Sequence, residues 1–519
     1  MTKNYFRPEW TCGRYDREHR VAIYYNLIEG MSYLFENDSA DIVGELLCVP
    51  RNGRFSLESI SERTDTDVES LAPFLDTLAG CNLITDSPIT KVGISAYRKA
   101  SAALKCSQAQ TIVKTTKDKL PMDVSSAEMD YIEKVGGITN VMFELTYDCS
   151  ERCIHCYNIG ATRNDSEQSH RRDRDELTLD DYRRIIDDLY EQGLVKVCLT
   201  GGDPFQKDIV WDIIDYIYNK GIAFDVYTNG LRLAGKTQRL ASYYPRLVAV
   251  SVYSGNAADH DYITRVRGSW EKSMTVVREL SALSVPLNLK CCVMRPNVKH
   301  YCEVADIAKQ YGAIAQFEVS ITDSIDGDRC ARNNLRLPPE IMEIVLRDDN
   351  VPLYVGKEAP NYGGQPRRAD INGCRAGYNS FCITPEGNFI PCCAFHASFG
   401  NLKQHALKDI LHDSEDLRKW QSMTIADYQD CGHHDYCDYC NLCPGNNFTE
   451  HGNPTMPSEN NCYLAKIRHG LAIRMMQGYD PLQGKTLKER LHSLADYEKV
   501  TIKREFSHDY SDKSLTAGG

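Results

Sequence analysis

The sequence predicts an α/β protein: a partial (β/α)6 TIM-type barrel, preceded by a winged-helix-like α+β domain and followed by a cysteine-rich domain. Three observations support this fold class. At 519 residues the chain is too long for one ordinary core, and its length suggests about two to four domains. Apolar, β-branched runs alternate with helical patterns through its middle. Nine of the 21 cysteines fall between Cys374 and Cys462.

The N-terminal segment, residues 1–105, has the pattern of a small domain. RVAIYYNL and MSYLFEN predict two strands of a hairpin joined at Glu29 and Gly30. Three helical patterns follow, in ADIVGELLCV, in SLESISERT and in TDVESLAPFLDTLAG, the last ending at Gly80. Strands followed by three short helices indicate a winged-helix-like domain of about 80 residues.

Six predicted strands define the barrel, which we place at residues 136–350. Helical patterns separate most of them, and in LTLDDYRRIIDDLYEQG the side chains of Thr178 and Asp181 form a capping box. Strands that alternate with helices are parallel βα units, and six units make three-quarters of an eight-fold barrel. The strands are predicted at 141–146, 195–200, 223–228, 247–252, 287–293 and 316–321.

Polar stretches with glycine or proline mark the predicted boundaries. TIVKTTKDKLPMD indicates a linker over residues 106–135, and GKEAPNYGGQPRR separates the barrel from a cysteine-rich domain at 370–475. The remaining polar segment, 476–519, is predicted to form a helix followed by a frayed tail.

Charge and composition exclude several classes of function. The net charge of −12 and the pI near 5.7 argue against a nucleic-acid binder. No apolar run approaches the roughly 18 residues of a membrane span, and the N-terminus has no signal-peptide pattern. We therefore expect a cytoplasmic protein, in which reduced cysteines are better explained as metal ligands than as disulfides.

The stretch CSERCIHC, from Cys149 to Cys156, directly follows the first barrel strand. A [4Fe–4S] cubane usually takes four thiolates, so the three cysteines Cys149, Cys153 and Cys156 would leave one iron with an open coordination position. Catalytic metal sites keep such a position open, whereas structural sites close it. A zinc knuckle with a distant fourth ligand, or an oxidation-sensitive loop, is the alternative for the triplet alone.

Other unusual residues also follow barrel strands, where barrel enzymes place their chemistry. Two glycines allow a ligand to approach the backbone closely, and Asp203 can accept hydrogen bonds from an ammonium group. A plain βα turn is the alternative for this motif. The residues concerned are Gly201, Gly202, Asp203 and Pro204 after the second strand, Thr228, Asn229 and Gly230 after the third, and Ser251 and Tyr253 after the fourth.

Residues 141–325 resemble the radical S-adenosylmethionine (SAM) enzymes. Their signature CxxxCxΦC is carried by the three cysteines, with His155 at the position that contacts adenine in the family. Gly201, Gly202 and Asp203 resemble the GGEP motif that holds the SAM amino group, with Asp in place of Glu. Ser251 matches the ribose-contacting strand, with Tyr253 a weaker match. The resemblance implies a SAM-binding [4Fe–4S] cluster and a 5′-deoxyadenosyl radical that abstracts hydrogen from unreactive carbon.

The C-terminal cysteines resemble the SPASM extension, which implies two auxiliary [4Fe–4S] clusters. The family pattern C-x(9–15)-G-x(4)-C is matched by Cys374, Gly387 and Cys392, but the later spacing differs from the usual one. A zinc ribbon is the alternative. His433 and His434 are expected to be exposed loop residues rather than ligands. By order, Cys431, Cys437, Cys440 and Cys462 are assigned to one cluster and Cys374, Cys392 and Cys443 to the other, with Cys382 as a candidate fourth ligand.

Residues 1–105 are similar in pattern to the PqqD-like peptide-recognition domain. In that family the leader of a precursor peptide adds as a strand to a three-stranded sheet. The fusion implies a ribosomally made peptide substrate, and the radical chemistry implies a reductant such as flavodoxin or ferredoxin. The thiols at Cys12, Cys48, Cys81, Cys198, Cys291 and Cys302 are expected to be packed or bystander residues.

Our main hypothesis is a peptide maturase that forms a thioether or carbon–carbon crosslink. The sequence assigns no catalytic acid or base and does not name the peptide. A peptide epimerase, with Cys292 or Cys330 as hydrogen donor, is an alternative. An anaerobic sulfatase-type (formylglycine) maturase is less favoured, since that family has an acid where this chain has Cys393. A non-catalytic iron–sulfur carrier is disfavoured by the SAM-contact motifs.

Overall fold

A computed structural model describes residues 3–112, 126–158, 176–325, 327–356 and 374–497, with only the backbone for 102–112. The long charged connection after the first barrel strand, the GKEAPNYGGQPRR boundary and the predicted frayed end lie outside these residues for the most part. None of the helices in the described ranges is long and apolar enough to cross a membrane.

The N-terminal domain contains the predicted hairpin. Strands β3 (Val21–Asn26) and β4 (Met31–Glu36) pair antiparallel, and β2 (Thr11–Asp16) completes a three-stranded sheet of order β2-β3-β4. The three helices follow as predicted, and α2 begins with a capping box at Ser56. The remaining elements are β1 (Asn4–Phe6), α1 (Asp38–Cys48), β5 (Arg54–Ser56), α2 (Leu57–Thr64), α3 (Val68–Gly80) and α4 (Lys91–Ile112).

The six predicted barrel strands are confirmed. They pair parallel in chain order because each is followed by a helix that returns the chain to the same edge of the sheet. Their outward side chains join the largest apolar cluster of the protein, and the capping box at Thr178 begins the first barrel helix. The strands are β6 (Asn140–Glu144), β7 (Lys196–Thr200), β8 (Ala223–Thr228), β9 (Leu247–Ser251), β10 (Leu287–Cys292) and β11 (Ile314–Glu318).

The helices of the barrel and of the segment after it are mostly short. They are α6 (Leu179–Glu191), α7 (Val210–Asn219), α8 (Thr237–Ala241), α9 (Ala257–Thr264), α10 (Ser269–Ala282), α11 (Glu303–Gln310), α12 (Cys330–Leu335) and α13 (Pro339–Val345), preceded by α5 (Ser126–Val135).

Helix α5 corrects the predicted linker over 106–135. It packs on β3 and β4 and is buried through Tyr131, while Glu128 forms an ion pair of 3.2 Å with Lys196 of β7. Tyr25 of β3 donates a hydrogen bond of 2.9 Å to the same carboxylate. Glu128 and Lys196 are both about 4% exposed, so this pair joins the N-terminal domain to the barrel through the supposed linker.

The cysteine-rich domain is joined to the barrel sheet, which the sequence did not predict. Strand β12 (Ser380–Ile383) pairs parallel with β6, and β13 (Asn388–Ile390) and β14 (Gly400–Asn401) extend the same sheet to nine strands. The helices that follow are α14 (Leu407–Asp413), α15 (Glu415–Ser422), α16 (Pro444–His451), α17 (Glu459–Met476) and α18 (Leu487–His492), the last being the helix predicted in the C-terminal segment.

Candidate functional site

The three cysteines of CSERCIHC lie together in the loop after β6. Backbone hydrogen bonds hold this loop against α9, from Arg152 N to Thr264 O and from Ile154 N to Ile263 O, each 2.9 Å. Burial raises the pKa of the Cys149 thiol to about 12, and the neighbouring thiol of Cys156 adds to the shift. A site that buries neighbouring thiols in this way is suited to thiolates whose charge a metal cluster would compensate.

Donors are already directed at one of these sulfurs. Cys149 Sγ lies 3.4 Å from the backbone nitrogen of Glu151 and 3.3 Å from Nδ2 of Asn229, the residue after β8. Hydrogen bonds to ligating sulfur are a common means of tuning iron–sulfur clusters. The donor set of Cys149, Cys153 and Cys156 therefore fits a cluster with one open iron.

The two glycines after β7 allow the second loop to approach the cysteine loop. Gly201 has φ of +129°, and a Cβ at Gly202 would lie 2.3 Å from the carbonyl oxygen of Asp148. Gly202 N donates to Thr146 O at 2.7 Å, and Asp203 N donates to Asp148 O at 2.9 Å. The glycines are thus required by contact between the loops, and the sequence motif marks a close backbone approach.

Asp203 forms hydrogen bonds within the protein, and its expected contact with the SAM ammonium group stays a prediction. Its side chain is fully buried; Oδ1 accepts from Phe205 N at 2.9 Å, and Oδ2 accepts from Thr228 Oγ1 at 2.6 Å and Asn229 N at 3.0 Å. Both oxygens are therefore used within the protein. Asp203 connects the loop after β7 to the end of β8, and through Asn229 it reaches Cys149.

An aromatic group lies beside the cysteine loop. The rings of His155 and Tyr253 meet edge to face with centroids 4.7 Å apart, and Tyr253 stacks on His260 at 5.5 Å. Burial lowers the pKa of His155 and of His260 to about 4, so both rings are neutral at pH 7. Ser251 ends β9 next to Tyr253 and is half-buried. His155 and Ser251 stay predictions as SAM contacts.

The C-terminal cysteines form two groups. Cys392 is partly buried near Cys393, Cys443 and Cys374, and these neighbouring thiols add to the rise in its pKa that burial causes. Cys462 lies near Cys437, and Tyr436 is close to both of these and to Cys431. Cys440 follows Cys437 in one short turn. These proximities are compatible with the order-based assignment, which stays a prediction, and His433 and His434 are exposed.

Cys382, the candidate fourth ligand of the Cys374 group, lies near Cys392 of that group, and its role as a ligand stays a prediction. It is buried on β12, and the charges that raise its pKa after burial belong to Glu144, Cys393, Cys392 and Cys198. Among the thiols expected to be bystanders, Cys12, Cys198 and Cys291 are buried, Cys81 and Cys302 are partly buried, and Cys48 is exposed.

Sequence reasoning missed several residues of the barrel lumen. Glu144 on β6 is 1% exposed, its Oε1 has no hydrogen-bond partner within the described chain, and Tyr147 donates to its Oε2 at 3.2 Å. Burial raises the pKa of Glu144 to about 8. Lys290 on β10 places its ammonium group 3.3 Å from the ring centroid of Tyr227. A carboxylate inside the apolar run VMFELT was the available signal for Glu144.

The two thiols considered as hydrogen donors are placed differently. Cys292 ends β10, lies near Cys156 and Tyr253, and is partly exposed. Cys330 begins α12, is 1% exposed, and accepts a hydrogen bond from Asn334. Cys292 therefore lies next to the CSERCIHC loop.

Comparisons with known proteins agree with this site. Residues 143–309 match the Radical SAM superfamily, and residues 374–444 match the SPASM iron-sulfur cluster-binding domain. An AdoMet-dependent heme synthase of Methanosarcina barkeri is 23% identical over 59% of this chain and 90% of its own length. Mycofactocin maturase MftC of Mycolicibacterium smegmatis is 27% identical over 57% and 76%, respectively.

Among solved structures, Streptococcus suis SuiB bound to S-adenosylmethionine aligns with 16% identity and a TM-score of 0.49, covering 88% of this chain and 100% of SuiB. The two family matches, taken with the cysteine loop and its neighbouring glycines, define the family and its cofactors, SAM and iron–sulfur clusters. The chain is an enzyme that contains a radical SAM superfamily domain over residues 143–309 and a SPASM iron–sulfur cluster-binding domain over residues 374–444.

Proposed function

We propose that this enzyme modifies a ribosomally synthesised precursor peptide and forms a thioether or carbon–carbon crosslink in it. The SAM-bound cluster, held by Cys149, Cys153 and Cys156, would supply a 5′-deoxyadenosyl radical able to take hydrogen from an unactivated carbon. Crosslinking then requires the loss of a second hydrogen as a proton and an electron. The SPASM cysteines could hold the clusters that accept this electron.

The main support for a peptide substrate is the N-terminal domain, because an outer strand of its sheet could pair with a peptide. The described sheet has the order β2-β3-β4, so β2 and β4 are its outer strands. Gly13 of β2 donates a backbone hydrogen bond of 3.3 Å to Gly221 of the barrel, so the β2 side of the sheet faces the barrel. A leader peptide would therefore add to β4, in the manner of the PqqD-like domains.

The surface of β4 suits a peptide partner. Met31 is 51% exposed at the start of the strand, while Tyr33 and Phe35 pack inward on the domain core. A peptide strand paired with β4 would gain main-chain hydrogen bonds and contact with these half-buried side chains. MftC, one of the relatives, is named a maturase, whereas another is a heme synthase. The relatives alone therefore do not identify the class of substrate, and the N-terminal domain is the feature that favours a peptide.

Epimerisation is the second candidate, favoured by the position of Cys292 beside the CSERCIHC loop. A thiol there would return a hydrogen atom to a substrate radical, after which an electron from a reductant and a proton would restore the thiol from the thiyl radical. A sulfatase-type reaction is less favoured, since Cys393 stands where that family has an acid.

The test is to express the full chain anaerobically with each short open reading frame encoded beside its gene, and to analyse the peptides by mass spectrometry. The full chain is needed because α5 completes the N-terminal domain. A crosslink appears as the loss of a pair of hydrogen atoms and a new linkage on fragmentation. Epimerisation leaves the mass unchanged in water and adds deuterium from heavy water. If SAM is cleaved while no peptide is altered or bound, the peptide proposal fails.

A further inference from the structure

A cluster of metal-ligand side chains lies at the junction of the barrel and the C-terminal segment. His300 lies in the turn before α11, Glu303 is the first residue of α11, and His492 ends α18. Glu303 Oε1 lies 3.3 Å from His300 Nδ1 and 3.3 Å from His492 Nε2, and all three ligand atoms lie within 4.8 Å of one another. None of them belongs to the cysteine sites.

The separations resemble those around a tetrahedral ion. Zinc bonds to imidazole nitrogen and carboxylate oxygen are about 2.0–2.2 Å long, so two ligands of one ion lie about 3.3–3.5 Å apart. Both carboxylate–imidazole separations already have this value. The rings of His300 and His492 contact each other with centroids 5.2 Å apart, and the His492 side chain is 41% exposed.

The carboxylate is held in place before any ion binds. A Cβ at Gly255 would lie 2.5 Å from Cβ and 2.6 Å from Oε2 of Glu303, so the glycine leaves room for this side chain. Gly255 N also donates to His300 O at 3.1 Å. Gly255 therefore contacts both His300 and Glu303.

The neighbouring charges permit a cation. Lys488 Nζ lies 3.7 Å from Glu303 Oε1 and 3.5 Å from Asp306 Oδ2. Its side chain is 51% exposed, so it can remain paired with Asp306 when Glu303 binds a metal ion. Two carboxylates beside one lysine give this cluster a negative local charge, which favours a bound cation.

We propose that His300, Glu303 and His492 bind a divalent ion of the zinc class and so fasten α18 to the barrel. Two imidazoles and one carboxylate suit zinc, with water as the fourth ligand. Helix α18 is also anchored by the fully buried Leu491, and the ion would fix its exposed end. The site is independent of the peptide chemistry proposed above.

Zinc itself is the probe. Reconstituted full-length enzyme, with its cysteines occupied by clusters, is dialysed against micromolar zinc, and zinc and iron are both counted. We expect one tightly bound zinc per chain at unchanged iron content. His492→Gln should lower the affinity at least about tenfold, and His300→Gln with His492→Gln should remove this zinc.

His412→Gln is the matched control, because His412 is exposed and pairs only with Asp413 in the described chain, at 2.6 Å. It should bind zinc as the parent does. Zinc should also protect the segment after Met476 from proteolysis in the parent but not in the double variant. Equal zinc content in the parent and the double variant, or absence of the extra zinc from the parent, would overturn the proposal.

Discussion

Asp203 offers the sharpest test of how the site is built. Changing it to asparagine keeps its shape but leaves one oxygen in place of two. If the asparagine oxygen faces Phe205 N, the backbone amide of Asn229 has no acceptor. If the side chain is flipped, the oxygen faces Asn229 N and the backbone amide of Phe205 has no acceptor. Either orientation leaves one buried N–H unsatisfied, which costs about 1–3 kcal/mol.

The net effect should lie near the lower end of that range. Burial raises the pKa of Asp203, so a neutral amide removes part of the cost of burying a charge. For Asp203→Asn we expect a loss of about 1 kcal/mol in unfolding free energy. Asp203→Ala removes the acceptor of both backbone amides and of Thr228 Oγ1, so we expect about 2–6 kcal/mol. Because Asn229 also contacts Cys149, SAM cleavage should fall in the same order.

The assay has two parts: denaturant unfolding under anaerobic conditions, and formation of 5′-deoxyadenosine with a chemical reductant. Asp180→Asn is the control, since the Asp180 side chain is 90% exposed and should change stability by less than about 0.5 kcal/mol. If Asp203→Ala equals the parent in both measurements, the bonds of Asp203 do not support the site and our reasoning is wrong.

Three other predictions concern the same region. Changing all three CSERCIHC cysteines to alanine should lower the iron count of the reconstituted enzyme from ~12 to ~8. A count near ~4 in the parent, with zinc present, would contradict the prediction of two auxiliary clusters. Gly202→Ala should abolish SAM cleavage, because the new Cβ would lie 2.3 Å from the carbonyl oxygen of Asp148. Gly80→Ala is the control and should leave activity unchanged, because a Cβ there meets nothing within 4 Å. An active Gly202→Ala enzyme would contradict this geometry. The pKa of Glu144 is raised by burial from 4.5 to about 8, so the folded state holds a proton that the unfolded state loses, and stability falls as pH rises between these values. The stability of Glu144→Gln relative to the parent should therefore increase as the pH rises from 5 to 8. A difference in melting temperature between the two proteins that stays constant over this range would refute the prediction.

The barrel was predictable because its signals are local. Each strand is a short β-branched run, and the helices between them have clear starts such as Thr178. The cysteine loop was predictable from spacing alone. By contrast, α5 is held by Tyr131 and by the Glu128–Lys196 pair, and neither contact can be read from a polar window that contains few apolar residues.

The remaining differences depend on contacts between distant parts of the chain. Strand β12 has four residues, and only its pairing with β6 makes it part of the barrel sheet. The GGDP motif correctly indicated a close backbone approach, yet it could not show that Asp203 faces inward toward Thr228. Glu144 was not predicted as a site residue, because the sequence of a strand does not show which of its side chains point into the barrel.

The buried junction between the N-terminal sheet and the barrel has a consequence for substrate selection. Tyr25, Glu128 and Lys196 fix the sheet to β7, so the distance from β4 to the CSERCIHC loop is set by the enzyme. A peptide anchored on β4 could present to the radical only residues that its intervening chain can reach, at most about 3.3–3.6 Å per residue. The enzyme would then act as a molecular ruler, selecting its target by position along the peptide more than by the side chains around it.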